Sequence, residues 1–213
     1  MYLAVATRPD IAFAVSYVSQ FLEKPKEQHW AMVKRILKYL KGTTTMGIKY
    51  NAVGVAGELE SYSNADYASD EATRRSVSGI VFKFSGGAIV WASKRQQSVA
   101  LSTTEAEYVA ASEAAKDAVW LSRLFNEILP LGNVPLLLVD NASAIKLAKN
   151  PSFYKRSKHI DVRAHFVRER VQNGELKIEH ISSGEQVADV LTKPIPRVQF
   201  QRLHEKLGMV AGH

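Results

Sequence analysis

No cysteine occurs among the 213 residues, so disulfides and thiolate zinc sites are excluded, and a reducing compartment fits. No apolar run approaches the roughly 18 residues needed to span a bilayer. The opening stretch MYLAVATRPD lacks both the basic leader and the long apolar centre of a secretory signal. There is no internal repeat and no low-complexity tract. What remains is ordinary for a globular chain: 46% hydrophobic and 23% charged residues, enough apolar surface for a core. The length suggests one full domain with a smaller attachment. A formal net charge of +7 makes a polyanionic partner plausible.

Residues 1–41 read as two helices. Thr7-Arg8-Pro9-Asp10 is a start signal, with Pro9 suited to a first turn. Ile11, Val15, Val18 and Leu22 follow at helical spacing, and Lys24-Pro25-Lys26 interrupts them. A second helix places Trp30, Val33, Leu37 and Leu40 on one face, with Gly42 at its end. Lys34, Lys38 and Lys41 share another face, which reads either as a solvated surface or as a phosphate-tracking stripe.

Beyond a turn or linker at 51–58 the period changes. Leu59–Ala65, Gly79–Phe84 and Ala88–Ser93 read as strands, the last two joined at Gly86-Gly87. Tight connections make this an antiparallel meander. Ser102 and Glu105 form a capping box for a long helix, with Ala106, Val109, Ala110, Ala114, Leu121, Leu124 and Ile128 on its buried side and Pro130 as its stop. Leu136–Val139 is an apolar run expected of a strand buried on both faces. A short helix through Leu147, a helix at 157–172, a strand over Leu176–Ile181 and a short helix from Glu185 complete an α/β pattern: a mixed sheet with helices on its faces.

Acidic residues stand at the ends of these elements: Asp66 after the first strand, Glu107 in the first turns of the long helix, Asp140 closing the buried strand, and Asp189 in the last short helix. Taken singly, each reads as a cap or turn residue. Converging carboxylates repel unless a divalent cation neutralises them. Hard oxygen ligands on rigid element ends suit magnesium, and two such ions ~4 Å apart can drive phosphodiester hydrolysis. Spacing alone does not bring these acids together.

Six stretches closely resemble, in order, the ribonuclease H region of copia-type retrotransposon polyproteins: Tyr62–Ala68, Arg74–Gly79, Ser102–Tyr108, Val139–Asn141, Lys158–Asp161 and Ala188–Pro194. Thr7–Ile11 and Leu37–Gly42 resemble the end of that family's reverse transcriptase. The resemblance implies a helical end of reverse transcriptase over 1–54, an RNase H-like domain over 58–193 with a five-stranded mixed sheet, and a basic tail helix over 194–213. It implies endonucleolytic cleavage of RNA paired to DNA by an Asp-Glu-Asp-Asp set holding two Mg2+ ions, for which Mn2+ can substitute. Carried over by motif, Glu107, Asp140 and Asp189 are three of the four acids. The first departs: where the family usually carries the strand-end aspartate, this sequence has Asn64, a neutral and poorer ligand. Asp66, two residues on, shares that face of the strand and is the candidate substitute. The expectation is a retained fold with reduced activity, or a chain that binds nucleic acid without cutting it.

Candidate contacts to the hybrid are Ser102, Thr103 and Asn141 beside the acids, and Arg74, Arg75, Lys94 and Arg95 for phosphates. Cellular enzymes of this type carry a histidine in the loop before the last helix. The corresponding Ser182–Gln186 has none, which leaves His159 as the candidate, with a surface or core role as its plain alternative. The glycines of the strands and Trp91 read as turn and core residues. The implied partners are an RNA–DNA hybrid and the upstream reverse transcriptase of the same polyprotein, with no membrane. The implied location is cytoplasmic, within a virus-like particle, or nuclear. An integrase of similar fold fits less well: its site uses fewer acids in another order, and no His/Cys zinc segment is present.

Overall fold

The computed structural model describes residues 1–51, 59–128, 133–149 and 158–212, with the side chains of 158–164 left aside. Helices α1 (Tyr2–Ala6), α2 (Ala12–Ser19) and α3 (Glu27–Gly42) are followed by a short strand β1 (Met46–Ile48). Strands β2 (Glu60–Asp66), β3 (Val77–Phe84) and β4 (Gly87–Arg95) precede the long helix α4 (Thr103–Ile128). Then come β5 (Leu136–Val139), α5 (Ala142–Lys149), α6 (Lys158–Gln172), β6 (Lys177–His180), a 3-10 turn at Val187–Leu191, α7 (Arg197–Lys206) and β7 (Met209–Ala211).

The main sheet has the order β4-β3-β2-β5-β6. Strands β2, β3 and β4 pair antiparallel, while β5 joins β2, and β6 joins β5, in parallel. This is the five-stranded mixed sheet of an RNase H-like fold. Alternation divides β2 between two cores. Leu59 packs with Ile80, Phe82, Leu137 and Val139 beneath α4, α5 and α6. Tyr62 packs with Val81, Leu191, Leu203 and Leu207 on the other face. Half of the twelve buried residues of α4 are alanine (Ala106, Ala110, Ala111, Ala114, Ala115, Ala118), and the helix packs on β2, whose Ser61 and Ser63 are fully buried. Small side chains on both partners let a long helix lie close to the strands.

Four local expectations are revised, the first being that Leu124 and Ile128, expected on the buried side of α4, are exposed near its end. The β3–β4 turn is Ser85-Gly86, one residue earlier than Gly86-Gly87. Both residues have positive φ, 51° and 84°, which matches a type I′ turn, and Gly87 already pairs with Phe84. The buried side of α3 carries His29, Val33 and Ile36, while Trp30 and Leu37 are exposed, because His29 stacks on Phe21 and Tyr39 reaches Asp10. Strand β5 is fully buried only at Leu137 and Val139; Leu136 and Leu138 are half-covered. The expected helix stop at Pro130 lies outside the described residues.

The tail does not end at α7. Strand β7 pairs antiparallel with β1, joining the C-terminus to the N-terminal region. Trp91 Nε1 donates to the Ala4 carbonyl at 2.7 Å, and Ser16 Oγ to the Ser93 carbonyl at 3.0 Å, so the N-terminal helices are fixed to β4. A buried polar cluster ties the same regions. Arg8 grips Asp10 with Nε at 2.9 Å and Nη2 at 2.8 Å, and donates to Thr43. Tyr39 Oη donates to Asp10 at 2.7 Å, and His204 Nε2 approaches the same carboxylate at 3.6 Å, a contact longer than a hydrogen bond. Burial alone would raise the Asp10 pKa. The contacts from His204, Arg8 and Tyr39 outweigh it and hold the carboxyl below its ordinary range.

Removing one partner of such a pair leaves a buried charge unmatched. Asp10→Ala is expected to lower unfolding free energy by about 3–5 kcal/mol in a denaturant titration. Arg123→Ala breaks only the exposed contact to Glu175 and is expected to change stability by less than about 1 kcal/mol.

Candidate active site

The parallel register pairs Ser63 with Val139, which sets the next residues, Asn64 and Asp140, side by side at the ends of two central strands. Helix α4 approaches this sheet end from one face and brings Glu107 in its first turns. The 3-10 turn approaches from the other face with Asp189. Four elements therefore meet at one end of the sheet. Asp66, the last residue of β2, stands at the rim, half-exposed.

How Asp189 is seated explains why this short turn is held so firmly. Every residue of Val187–Leu191 is buried. Gln186, itself fully buried, donates through Nε2 to the Ser63 and Leu138 carbonyls at 3.0 and 3.4 Å and accepts from Ala188 N at 3.2 Å. One amide thus fastens the turn to β2 and β5. Gly79, paired with Asn64 across β2 and β3, provides the space: a Cβ there would stand 2.6 Å from the Ala188 carbonyl oxygen and 2.7 Å from Thr192 Cγ2.

The electrostatics follow from burial. Glu107 is 7% exposed, and its Oε2 has no hydrogen-bond partner among the described residues. Burial first, then the nearby charge of Asp140 and that of Asp189, push its pKa from 4.5 up to about 8, against a backbone hydrogen bond from Ala65 and the charge of Lys193. Burial also raises Asp189; Lys193 opposes this, and Asp140 and Asp66 add to it. Asp66 is raised by burial and eased by Lys193 and Ser69. These mutual influences place Asp66, Glu107, Asp140 and Asp189 in one electrostatic neighbourhood. Among the described residues, no three histidine or carboxylate side chains are arranged as a ready metal cage.

Asn64 is 3% exposed and oriented by its own backbone. Its Oδ1 accepts from Ala65 N at 2.6 Å, and its Nδ2 donates to Asp189 Oδ1. Lys193 Nζ meets the same Asp189 oxygen at 2.9 Å, and Gln199 Nε2 reaches Oδ2 at 3.4 Å. Lys193, Gln186 and Gly79 shape the site, although the sequence pointed to none of them as a site residue. The signal available for Lys193 was its i,i+4 spacing from Asp189.

The expected hybrid contacts are distributed unevenly. Ser102 Oγ accepts from Glu105 N at 3.1 Å as the cap of α4, while Glu105 Oε2 accepts from Leu101 N at 2.9 Å, one residue earlier than a standard capping box. Thr103 is exposed on the first turn. Asn141 caps α5, its Oδ1 accepting from Ser143 and Ala144 N at 3.0 Å each. The rows Asp66–Val77–Arg95 and Ser78–Lys94 put both basic residues at the same end of the sheet as the acids. Arg95 is engaged with Asp70 and Gln20, and Lys94 is exposed. Arg74, at φ 54°, and Arg75 form the turn that leads into β3. The side chain of His159 lies outside the described residues.

Two measurements check this geometry. Because the folded Glu107 pKa lies above its ordinary value, the folded state binds more protons between about 4.5 and 8, so stability is expected to fall as pH rises through that window. Thermal unfolding in chelator should show this slope in the parent and a smaller one in Glu107→Gln. Gly79→Ala is expected to lower unfolding free energy by about 1–3 kcal/mol. Gly47→Ala, whose added Cβ meets nothing within 4 Å, is the matched control.

No protein-family model matches the chain. It is 48% identical over 209 residues to the retrovirus-related Pol polyprotein from transposon TNT 1-94 of Nicotiana tabacum, covering 98% of this chain and 16% of that protein. It is 40% identical over 210 residues to the Pol polyprotein from transposon RE2 of Arabidopsis thaliana, covering 98% and 14%. The secreted RxLR effector protein 161 of Plasmopara viticola is 52% identical over 122 residues, 57% of this chain and 85% of that one. Among solved structures, LC11-RNase H1 isolated from compost has 15% identity and a TM-score of 0.48, covering 64% of this chain and 93% of its own. The chain spans about a sixth of the Pol polyproteins it matches. In sequence along nearly its whole length, and in the order of its sheet, the chain belongs to the Pol polyproteins of copia-type retrotransposons and has an RNase H-like fold.

Proposed function

We propose that this chain is the ribonuclease H segment of a retrotransposon polyprotein and hydrolyses the RNA strand of RNA–DNA hybrids in a reaction that depends on divalent cations. The observation that carries this reading is the Glu107 carboxylate, buried without a hydrogen-bond partner for Oε2 and beside the charges of Asp140 and Asp189. Such a group is costly to ionise in the folded chain unless a cation joins it. Hard carboxylate oxygens fit Mg2+ or Mn2+. Glu107 and Asp140 would hold one ion. The two-ion form that the resemblance implies would need Asp189 together with Asp66 or the position of Asn64. When bound, the cation supplies Lewis-acid stabilisation of charge developing on phosphodiester oxygens.

The remaining work falls to the chain itself. Asn64 and Asp140 are fixed by the register of adjacent strands, Asp189 by Gln186 and Gly79, and Glu107 by α4, so the acids need little reorganisation. Lys94, Arg74 and Arg75, at the same sheet end, would meet the phosphates of the hybrid. Capping uses the side-chain oxygens of Ser102 and Asn141; a contact to sugar or phosphate would use the hydroxyl proton and the amide NH2. The hybrid would be read by backbone geometry and 2′-hydroxyls. The exposed Tyr2, Val5, Leu22, Trp30 and Leu37 of the N-terminal region fit a surface that continues against the upstream reverse transcriptase.

The second reading is a chain that binds hybrid without cleaving it, and the amide of Asn64, donating to Asp189 where a carboxylate is usual, favours it. Incubating the chain with a labelled hybrid and Mg2+ separates the two. The nuclease reading expects endonucleolytic cuts in the RNA strand, a loss on the order of 100-fold or more in Glu107→Gln and Asp140→Asn, and a faster rate in Asn64→Asp. Retention of the hybrid with no cleavage by the parent or by Asn64→Asp, in Mg2+ or Mn2+, would establish the binding-only reading.

A further inference from the structure

We propose that Lys193 takes the place of one of the two cations at this site, so that the chain binds a single divalent ion, on the Glu107–Asp140 side. The proposal rests on reading the acids as cation ligands and specifies how many ions they take and where.

The two halves of the site differ in how their carboxylates are matched. On one side, Asp189 Oδ1 receives both the Lys193 ammonium, at 2.9 Å, and the Asn64 amide, and Oδ2 receives Gln199. This carboxylate has a fixed positive charge and two amide donors. An ion drawn to Oδ1 would have to displace an ammonium already within hydrogen-bond distance. On the other side, Glu107 is 7% exposed, its Oε2 has no hydrogen-bond partner among the described residues, and Asp140 is its principal charged neighbour. Among the described residues, an ion pair and side-chain donors therefore meet Asp189 directly, whereas Glu107 has only the Ala65 backbone hydrogen bond and the charge of Lys193 against burial and two neighbouring acids.

Asn64 reinforces the asymmetry. Its oxygen is committed to the Ala65 amide at 2.6 Å, so the group turned towards Asp189 is the NH2, which cannot ligate a cation. An aspartate here would instead present a second anion to Asp189, and the pair would call for a cation between them. The substitution and the lysine thus act together, one removing a ligand and the other supplying a charge. Lys193 is well placed for this. It follows Asp189 by four residues, Thr192 Oγ1 is bonded to the Asp189 carbonyl at 3.2 Å, and the ammonium also acts on Asp66 and Glu107.

The test counts ions directly on the full chain without nucleic acid, using Mn2+ paramagnetic resonance and calorimetry. One ion per chain is expected for the parent. Asp189→Asn should keep it with affinity within about threefold, whereas Glu107→Gln should weaken it by at least about tenfold. The double variant Asn64→Asp with Lys193→Met should take two. Two ions of comparable affinity on the parent, or one ion lost with Asp189 and kept without Glu107, would overturn the proposal while leaving the nuclease reading intact. If the double variant fails to fold, the parent count and the Asp189–Glu107 comparison still decide. No ion on the parent at any concentration would overturn both readings.

Discussion

The organising constraint is the placement of like charges where water cannot screen them. Glu107 enters the end of the sheet on a helix that buries six alanines, and its carboxylate has little solvent. Asp140 and Asn64 are brought alongside by strand register, and Asp189 by a turn fitted over a glycine. Each packing decision is favourable by itself, and their sum is an electrostatic conflict. A fold that maintains such a conflict has stability invested in a site, because replacing the acids by neutral residues would relieve it.

The chain resolves the conflict unevenly. Around Asp189, side chains supply the compensation: the Lys193 ammonium, the Asn64 amide and Gln199. Around Glu107 the Ala65 backbone hydrogen bond and the charge of Lys193 offset burial only in part, and Oε2 has no hydrogen-bond partner among the described residues. Asp10, on a segment that itself packs against the Val187–Leu191 turn, shows the contrasting solution. There a buried carboxylate is fully matched by Arg8 and Tyr39 with His204 nearby, and its pKa lies low rather than high. Both are buried acids in one protein. Asp10 is satisfied and ties the N-terminal helices to α7, whereas Glu107 keeps an Oε2 without a hydrogen-bond partner among the described residues and stands beside the charge of Asp140.

How much of this was legible beforehand depended on the range of the interaction. Strands β2 to β4 and helix α4 carry local signals, namely alternation, turn glycines and a Ser102–Glu105 cap, and they formed within a residue or two of expectation. The turn was misplaced by one residue because Ser85 adopts the positive φ that Gly87 was expected to take. Trp30 and Leu37 were expected to face inward with Val33, since helical spacing identifies an apolar stripe but not which edge of it will meet a neighbour. The β1–β7 pairing joins residues more than about 160 positions apart, and three-residue strands leave almost no periodicity to read. At the site, motif order supplied the acids, whereas the roles of Gln186, Gly79 and Lys193 exist only in three dimensions: a buried amide bridging two strands, a missing Cβ and an ammonium folded back on a turn.

The central claim is that the Glu107 oxygen is a cation ligand whose charge the protein alone does not balance. Its most direct test is the thermal unfolding midpoint at pH 7.5 across a Mn2+ titration. Preferential binding to the folded state should raise the midpoint steadily with metal, and Glu107→Gln should remove most of that rise. A midpoint that is indifferent to Mn2+ in the parent, or a rise that persists unchanged in Glu107→Gln, would contradict the account.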